Sequence, residues 1–347
     1  MRKIFVLTCL AGSLLFMNTS RTIAQEVETR VDKIEKIISK LPSISGLVNL
    51  RYHYDNSTYY PDNSPSITTK SNSFDVRRAR LDFRGGFSSF NYRLQVEFAK
   101  SPKILDAYVT WKATPHLNVQ AGQYKIPFSL ENPYGPASLE TIDNSLVITY
   151  LVNYSDVSGV SANGRDIGLS VHGGFLPREG GYNILNYHAG IFNGNGINTS
   201  DNNNAKDVSA IFTVNPFKEF SVAASFYQGS GDRIRGGVGA KFENTRILVR
   251  TEYIAGETGT LKSEGHYTVF GYRVIPTLQL LAKYDYFILD RTISSSSSVT
   301  NETIKYLTGI RYTPMKNVQV MANYSFTNIN GGIYKNHYLT TQVVLSF

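Results

Sequence analysis

One short segment of this sequence contains four arginines within eight residues: Arg77, Arg78, Arg80 and Arg84. A guanidinium group offers a planar fork of hydrogen-bond donors that suits bidentate contact with phosphate or carboxylate groups. Because only Asp75 and Asp82 lie nearby to neutralise this charge, the segment predicts a site where anions bind. The alternative is structural pairing, in which each arginine contacts an acidic neighbour such as Asp82 or Glu97.

Other basic side chains recur in segments whose residues alternate between polar and apolar. We expect six of them to join the arginine segment along an anion path: Arg93, Lys112, Lys125, Arg246, Arg250 and Lys283. Asp106 is the acidic residue that we expect beside them. Arg77 and Lys125 break the alternation, but both lie close to predicted strand ends, where a long side chain reaches the polar side at little cost.

Motifs for enzymatic chemistry are missing from the sequence. It contains no GxSxG nucleophile elbow, no HExxH zinc motif and no GxxxxGK[ST] phosphate loop. Its six histidines show no metal-ligand spacing, although His172 and His188 fall on neighbouring predicted strands. Its only cysteine, Cys9, lies in an apolar run near the N-terminus. We therefore predict no catalytic residue, no metal site and no cofactor.

The elements that position these residues are predicted by hydrophobic periodicity. In residues 90–98, Leu94 and Val96 lie on one face. Arg93 and Gln95 lie on the other, and such alternation is typical of a strand with one apolar and one polar side. We find sixteen such segments, most of them about ten residues long, which is the length that a tilted strand needs to cross a bilayer. They are 46–54, 74–84, 90–98, 104–112, 117–125, 165–175, 183–193, 207–214, 219–229, 234–242, 245–256, 265–274, 278–288, 303–312, 317–327 and 337–347.

The connections between these segments alternate between long and short, as in a membrane barrel with tight turns at one end and external loops at the other. The longest connection, residues 126–164, has 39 residues, and a loop of that length is usually functional. The last segment ends at Phe347 after alternating apolar residues, as in the assembly signal of outer-membrane barrels. The predicted fold is therefore all-β: a 16-stranded antiparallel transmembrane β-barrel with a short N-terminal amphipathic helix.

Composition and charge support this fold class. The mean hydropathy of −0.20 excludes a bundle of transmembrane helices, and a hydrophobic content of 41% excludes a disordered chain. Residues 1–24 predict a signal peptide, because two basic residues precede an apolar run that ends at a small-residue cleavage site. Its removal leaves 32 basic and 27 acidic residues, a net charge of +5 in place of +8. Residues 25–45 then form a helical or short coiled-coil segment, and residues 46–347 form the barrel.

Three stretches of the sequence resemble the phosphate-selective porin O and P family: FDVRRARLDFRGGFSSFNYRLQVEF at 74–98, LDAYVTW at 105–111 and GQYKIPFSLE at 122–131. The resemblance implies a trimeric sixteen-stranded porin of the Gram-negative outer membrane that passes anions, with phosphate or polyphosphate as candidate solutes. It also implies an inward-folded third loop, which corresponds here to residues 126–164. The family's arginine motif maps onto Arg77, Arg78 and Arg80, its lysine onto Lys125 and its acidic residue onto Asp106. The chain departs from the family in having few lysines in its external loops.

The function that we expect is passive diffusion of small anions through a water-filled outer-membrane channel. A general, carbohydrate or nutrient-specific channel is the alternative, because Tyr108, Tyr124 and Tyr227 could stack on sugars. A barrel enzyme such as an outer-membrane lipase is a second alternative, but it needs a Ser–His pair near the lipid boundary, and none can be placed. The expected partners are the lipid bilayer, lipopolysaccharide, small anions and two further copies of the chain, and export argues against nucleic acid.

Overall fold

Sixteen strands form one closed antiparallel barrel in which each strand pairs with its neighbours in sequence and β1 pairs with β16. The computed structural model describes residues 41–61, 64–153, 155–160, 162–292 and 301–347. The strands are β1 (Ser43–Tyr59), β2 (Ile67–Phe87), β3 (Phe90–Glu97), β4 (Lys103–Thr114), β5 (Leu117–Lys125), β6 (Arg165–Arg178), β7 (Tyr182–Phe192), β8 (Asp207–Phe217), β9 (Phe220–Gly229), β10 (Arg233–Glu243), β11 (Ile247–Thr258), β12 (Leu261–Ile275), β13 (Leu278–Ile288), β14 (Glu302–Met315), β15 (Val318–Ile329) and β16 (Tyr334–Ser346). The predicted sixteen-stranded barrel is confirmed.

The N-terminal predictions concern a part of the chain that the structure leaves almost entirely undescribed. The predicted signal peptide and nearly all of the predicted helical segment lie outside the described residues. The first strand begins at Ser43, slightly before the predicted start of the barrel.

The barrel closes through the two ends of the sheet. The backbone N–H of Gly46 donates to the carbonyl of Phe347 at 2.9 Å, and the N–H of Phe347 donates to the carbonyl of Gly46 at 3.0 Å. From there β1 and β16 stay in register up to Tyr59 and Tyr334. The C-terminal residue therefore takes part directly in sealing the sheet, which removes both open edges.

Residues on each strand alternate between an apolar outer face and a polar inner face. Leu94 and Val109 are exposed on the outside, whereas the adjacent Gln95 and Thr110 are buried on the inside. This alternation follows from the two-residue period of a strand. The outer surface is suited to lipid and the inner surface to water, as a barrel that spans a bilayer requires.

Four of the tight turns contain proline next to an irregularity in strand pairing. The register shifts between Lys112 and Thr114, between Val214 and Phe217, between Arg273 and Ile275, and between Tyr312 and Met315. Proline cannot donate to the ladder, so the pairing must be interrupted where it occurs. Each of these four Pro-containing turns thus lies at or immediately beside a strand end.

Several strands are longer than the periodicity predicts. β2 has 21 residues, and the predicted connection 257–264 is a two-residue turn between β11 and β12. The added residues are largely polar, because they extend past the region where one face must be apolar. Backbone pairing alone is enough to continue the strands there.

The 39-residue connection between β5 and β6 folds into the barrel. Its contacts reach wall strands on several sides: Ser209 of β8, Arg235 of β10, Glu252 of β11, Asp285 of β13 and Arg311 of β14. A segment outside a closed barrel could not touch so many separate strands, so it occupies the lumen. It contains one short helix, α1 (Leu146–Leu151). Among the described residues, no helix has the length and hydrophobicity needed to span a membrane.

An apolar patch on the inner wall receives helix α1. Val147, Ile148 and Leu151 pack in a buried cluster with wall residues that include Leu248 and Val269. These inward-facing wall residues are apolar because the loop covers them, so they never meet water. The expectation of a uniformly polar inner face is therefore wrong for this part of β11 and β12.

Candidate functional site

The inward loop leaves one side of the lumen open against strands β2 to β6. A cavity of about 550 Å³, hereafter the constriction cavity, lies between loop residues 133–138 and this wall. Its charged lining comes from five basic and two acidic side chains: Arg80, Arg84, Arg93, Lys125, Arg165, Asp82 and Asp106. Four of the ten basic residues predicted for the anion path, Arg80, Arg84, Arg93 and Lys125, therefore line this cavity.

Arg93 lies at the centre of a linear network of charges on the cavity wall. Its guanidinium contacts Asp82 at 2.7 Å and Asp106 at 3.0 Å. Arg84 binds the same Asp82 at 2.8 Å, and Arg165 binds Asp106 at 2.7 Å. Both carboxylates are buried, whereas more than half of the Arg84 side chain is exposed. The network holds three arginines and two aspartates, so it has a net charge of +1.

A second, smaller cavity adjoins the first and is lined by basic and amide side chains. We call it the basic pocket. Its charged lining comes from Arg78, Arg80, Lys125 and Arg165, and four asparagines complete the polar lining: Asn132, Asn144, Asn153 and Asn163. None of the lining residues that the structure describes is acidic. Arginine, lysine and asparagine side chains all carry hydrogen-bond donors, although both N–H groups of the Asn132 amide already donate to the carbonyls of Ile126 and Gly164.

Within the basic pocket, Arg78 differs from its neighbours. Arg80 contacts Glu97 at 2.7 Å and Arg165 contacts Asp106, so both have an acidic partner. The structure shows no hydrogen bond or ion pair for the Arg78 guanidinium among the described residues. Structural pairing, the alternative reading of the arginine segment, therefore applies to Arg80 and Arg84 but not to Arg78.

The position of Arg78 follows from a change of phase in β2. Phe74 and Val76 are exposed on the outer face, and Asp75 between them contacts Arg51 on the inner face at 2.8 Å. Further along the strand, even-numbered Asp82 is the buried inner residue. The alternation thus shifts between residues 76 and 80, at Arg77 and Arg78. The Nε atom of Arg77 is buried there without a hydrogen-bond partner.

Lys125 points into the barrel at the end of β5. Its ammonium group donates to the backbone carbonyls of Asn132 at 2.5 Å and Tyr134 at 2.7 Å. The lysine therefore holds the start of the inward loop while its charge remains in the lining of both cavities. The sequence alternation had indicated that the Lys125 side chain would have to reach the polar side from the other face. In the structure the side chain points inward without such a bend.

Arg250 and Lys283 lie beneath the loop and outside the two cavities. Arg250 is fully buried between Glu131 at 3.2 Å and Glu140 at 2.7 Å, and its guanidinium carbon lies 4.4 Å from the centre of the Tyr134 ring. Lys283 contacts Asp285 at 3.3 Å and is also buried. The structure thus gives these two residues the role of anchoring the loop. Their predicted place along an anion path has no support from this geometry, because acidic groups and the loop cover them.

The charge of Glu131 is maintained by its surroundings. Burial alone would raise the pKa of the Glu131 carboxyl, but the positive charges of Arg250 and Lys283 and hydrogen bonds from Ser145 lower it below its usual value. The loop is therefore attached through an ionised carboxylate. This attachment fixes the loop on the wall opposite the constriction cavity.

Lys112 and Arg246 lie close to turns. Lys112 is an exposed residue two positions before the end of β4, and Arg246 belongs to the connection between β10 and β11. Neither residue lines the constriction cavity or the basic pocket. Asp106, in contrast, lies within the wall network, in contact with Arg93 and Arg165. From the sequence, we also expected it beside basic residues.

Arg165 is the main site residue that sequence reasoning missed. It is the first residue of β6 and follows directly on the 39-residue loop, so the alternation pattern gave no indication of its orientation. In the described part of the chain, no group of three or more His, Cys, Asp or Glu side chains is arranged to hold a metal ion.

Solved structures with the same architecture are porins and related outer-membrane channels. An outer membrane channel, DcaP of Acinetobacter baumannii, shares 15% identity with a TM-score of 0.59, covering 88% of this chain and 97% of that chain. An anion-selective porin from Comamonas acidovorans shares 13% identity with a TM-score of 0.64 and coverages of 88% and 99%. OprB of Pseudomonas putida shares 10% identity with a TM-score of 0.61 and coverages of 90% and 96%. At these identities the likeness concerns the fold.

The sequence itself matches a family. No protein of curated function matches it significantly. The pattern of the family "phosphate-selective porin O and P" matches residues 47–239, which is more than half of the chain and includes both cavities' basic residues. Family and fold point to an outer-membrane channel rather than an enzyme. The chain therefore belongs to the phosphate-selective porin O and P family.

Proposed function

We propose that this channel passes small anions in preference to cations and that oxyanions such as phosphate bind transiently in the basic pocket. The observation that carries the proposal is the lining of that pocket, with four basic side chains, four asparagines and no acidic group among the described residues. A cation that entered the pocket would meet only positive charge and amides. The pocket itself has a volume of only about 30 Å³, so an anion would lie where it opens into the constriction cavity, beside the shared residues Arg80, Lys125 and Arg165.

Arg78 is the residue that we expect to contribute most to anion binding. Its guanidinium has no acidic partner among the described residues, so its charge is not already neutralised by the wall. Arg80 and Arg165 are paired and contribute donors more than net charge. Because the site is partly screened from water, a single uncompensated charge acts more strongly there than at an exposed position.

The constriction cavity supports the same preference at longer range. Its network of three arginines and two aspartates has a net charge of +1, and Lys125, whose ammonium group donates to two backbone carbonyls, adds a further positive charge. A positive potential in a narrow lumen raises the local concentration of anions. The likeness to an anion-selective porin from Comamonas acidovorans is consistent with this preference.

Phosphate binding is tested by adding phosphate to single channels that carry chloride current. We expect phosphate to reduce the chloride current in the wild type, because an oxyanion held in the basic pocket delays the ions that follow. Arg78→Gln should remove most of this inhibition. Lys112→Gln, which also removes one positive charge but outside both cavities, is the matched control and should retain it. Equal inhibition in both variants, or none in the wild type, would exclude the basic pocket as the binding position.

A carbohydrate channel remains the second candidate because Tyr108 and Tyr124 line the constriction cavity. Their rings form an edge-to-face pair at 5.7 Å, but Tyr124 is buried and packs against His188 and Phe192, so only the Tyr108 ring is offered to a sugar. Tyr227, the third predicted tyrosine, is buried and hydrogen-bonded to Asp207, so it is not available for stacking. Inhibition of the current by oligosaccharide but not by phosphate would favour this candidate.

For the assembled protein we propose export through the signal peptide 1–24, a helical or coiled-coil segment at 25–45 and a barrel at 46–347. We propose a homotrimer embedded in the outer membrane, with the apolar outer faces in contact with lipid and lipopolysaccharide. Chemical crosslinking of whole cells that express the chain tests the trimer. N-terminal sequencing of the mature protein tests the cleavage site.

A further inference from the structure

Two histidines that the anion pathway does not use face each other on the inner wall. His172 of β6 and His188 of β7 are directly opposite residues of adjacent antiparallel strands, and their ring centres lie 5.1 Å apart. Both lie on the inner parity, since the flanking residues Val171 and Ile191 are exposed on the outer face. His172 is at mid-length of its strand, roughly halfway along the wall.

The hydrogen bonding of this pair is incomplete. His188 Nε2 lies 3.0 Å from the hydroxyl oxygen of Ser170, which in turn accepts a hydrogen bond from Tyr124 at 2.7 Å. His172 Nδ1 is buried without any partner, and the structure shows no hydrogen bond to His172 Nε2 or His188 Nδ1 among the described residues. A buried imidazole nitrogen without a partner is uncommon in folded proteins and calls for an explanation.

We propose that His172 and His188 form a binding site for a divalent transition-metal cation such as Zn²⁺ on the wall of the lumen. Neutral imidazole is a preferred ligand of such ions. With a metal–nitrogen distance of about 2.0–2.1 Å and tetrahedral geometry, two ligating imidazole rings have centres about 5 Å apart. The observed 5.1 Å separation of the two ring centres is close to that value.

The surroundings hold one of the two ligands in place. The Ser170 hydroxyl fixes His188 through Nε2, and the ring of Tyr124 stacks on His188 at 6.5 Å with an angle of 15° between the planes. This contact leaves His188 Nδ1 as the nitrogen that binds the metal, and either nitrogen of His172 completes the pair. Water fills the remaining coordination positions, because the wall supplies only these two imidazoles.

Zinc titration of the purified, folded full-length protein by isothermal calorimetry tests the site. We expect saturable binding of one ion per barrel in the wild type, lost in His172→Ala and in His188→Ala. His337→Ala is the control, because His337 contacts Tyr324 and Phe326 outside this pair and its removal should leave binding unchanged. Folding of each variant is checked by the heat-modifiable mobility of the barrel in gels. Absence of stoichiometric binding in the wild type, or wild-type binding retained in either alanine variant, would overturn the proposal.

Single-channel current measured with added zinc tests whether the site faces the lumen. Zinc added to single channels should reduce the current of the wild type, and a chelator should restore it. The double variant His172→Ala/His188→Ala should show no reduction. This experiment does not depend on anion preference, since an ion on the wall obstructs either direction of charge flow. Unchanged current in a wild-type channel that binds zinc would show that the site does not face the pathway.

Discussion

Arg250 of β11 lies 2.7 Å from Glu140 of the inward loop, although the two residues are separated by 110 positions in the chain. Both side chains are buried, and Glu131 of the same loop approaches the same guanidinium at 3.2 Å. This buried group of charges fixes the loop to one half of the barrel. The width of the passage on the other half depends on that attachment.

Replacing Arg250 should release the loop. Arg250→Met leaves Glu131 and Glu140 buried without their cationic partner, and breaking a buried pair in this way costs about 3–5 kcal/mol. We expect a larger and noisier single-channel conductance and faster proteolysis within residues 126–164. Arg291→Met is the control, since Arg291 is half-exposed and its contact with Glu264 is longer, at 3.5 Å. Wild-type conductance in Arg250→Met would contradict the anchoring role.

Acid should release the same attachment, but only well below neutral pH. The pKa of Glu131 is lowered in the folded protein, so its stabilising charge is present above the ordinary Glu value of about 4.3 and disappears as the pH falls through the lower, folded value. Conductance should therefore remain constant from neutral to mildly acidic pH and rise only below the ordinary Glu range. The charged groups that face Glu131 from the wall are Arg250, Glu252, Lys283 and Asp285.

The control for this titration is Glu131→Gln, which removes the charge at every pH. Its conductance should already be raised at neutral pH, with a smaller acid-induced change. A step in the wild-type conductance near pH 7 would show that another group controls the loop.

Arg93 should affect selectivity more than any arginine at a turn. Arg93→Gln removes the shared partner of Asp82 and Asp106 and lowers the net charge of the wall network from +1 to zero. We expect the permeability ratio of chloride to potassium to fall, as measured by the reversal potential in a salt gradient. Arg246→Gln removes an equal charge in the connection between β10 and β11 and should leave the ratio almost unchanged. Equal effects of the two substitutions would mean that only total charge matters.

Closure of the barrel should depend on the small size of Gly46. A Cβ atom at this position would overlap the Phe347 ring and lie 2.8 Å from the Arg80 carbonyl oxygen. Gly46→Val should therefore destabilise the barrel by about 1–3 kcal/mol, as overpacking does elsewhere. Gly236 of β10 is a matched control, because nothing lies within 4 Å of a Cβ built there. Refolding yields judged by heat-modifiable mobility should fall for the first variant and not for Gly236→Val.

The barrel was predictable because its determinants are local. The period of two, the tight turns with proline and the final Phe347 each depend on neighbouring residues, and together they specify sixteen strands. The exact strand ends were harder to predict from the sequence. Polar residues such as those at 257–264 continue the hydrogen-bonded pairing of the strands without forming an apolar face. β2 is a different case, because its apolar residues change from even-numbered Phe74 and Val76 to odd-numbered Leu81 and Phe83, so the phase change at Arg77 and Arg78 is visible in the sequence.

The site was only partly predictable because it is built by long-range contacts. Arg93 and Asp106 were recognisable as luminal charges from alternation within their strands. The role of Arg250 depends on where residues 131 and 140 of a long loop settle, which no local pattern specifies. Leu248 and Val269 face inwards for the same reason, since the loop provides the apolar environment that lipid provides outside.

The central claim, that the basic lining of the narrowed lumen selects anions, is tested most directly by the reversal potential of the wild-type channel in a potassium chloride gradient. The account predicts a chloride-to-potassium permeability ratio above one, which falls towards one when Arg78 and Arg80 are both replaced by glutamine while the barrel remains folded. A wild-type channel that prefers potassium, or a ratio above one that the double replacement leaves unchanged, would contradict the account.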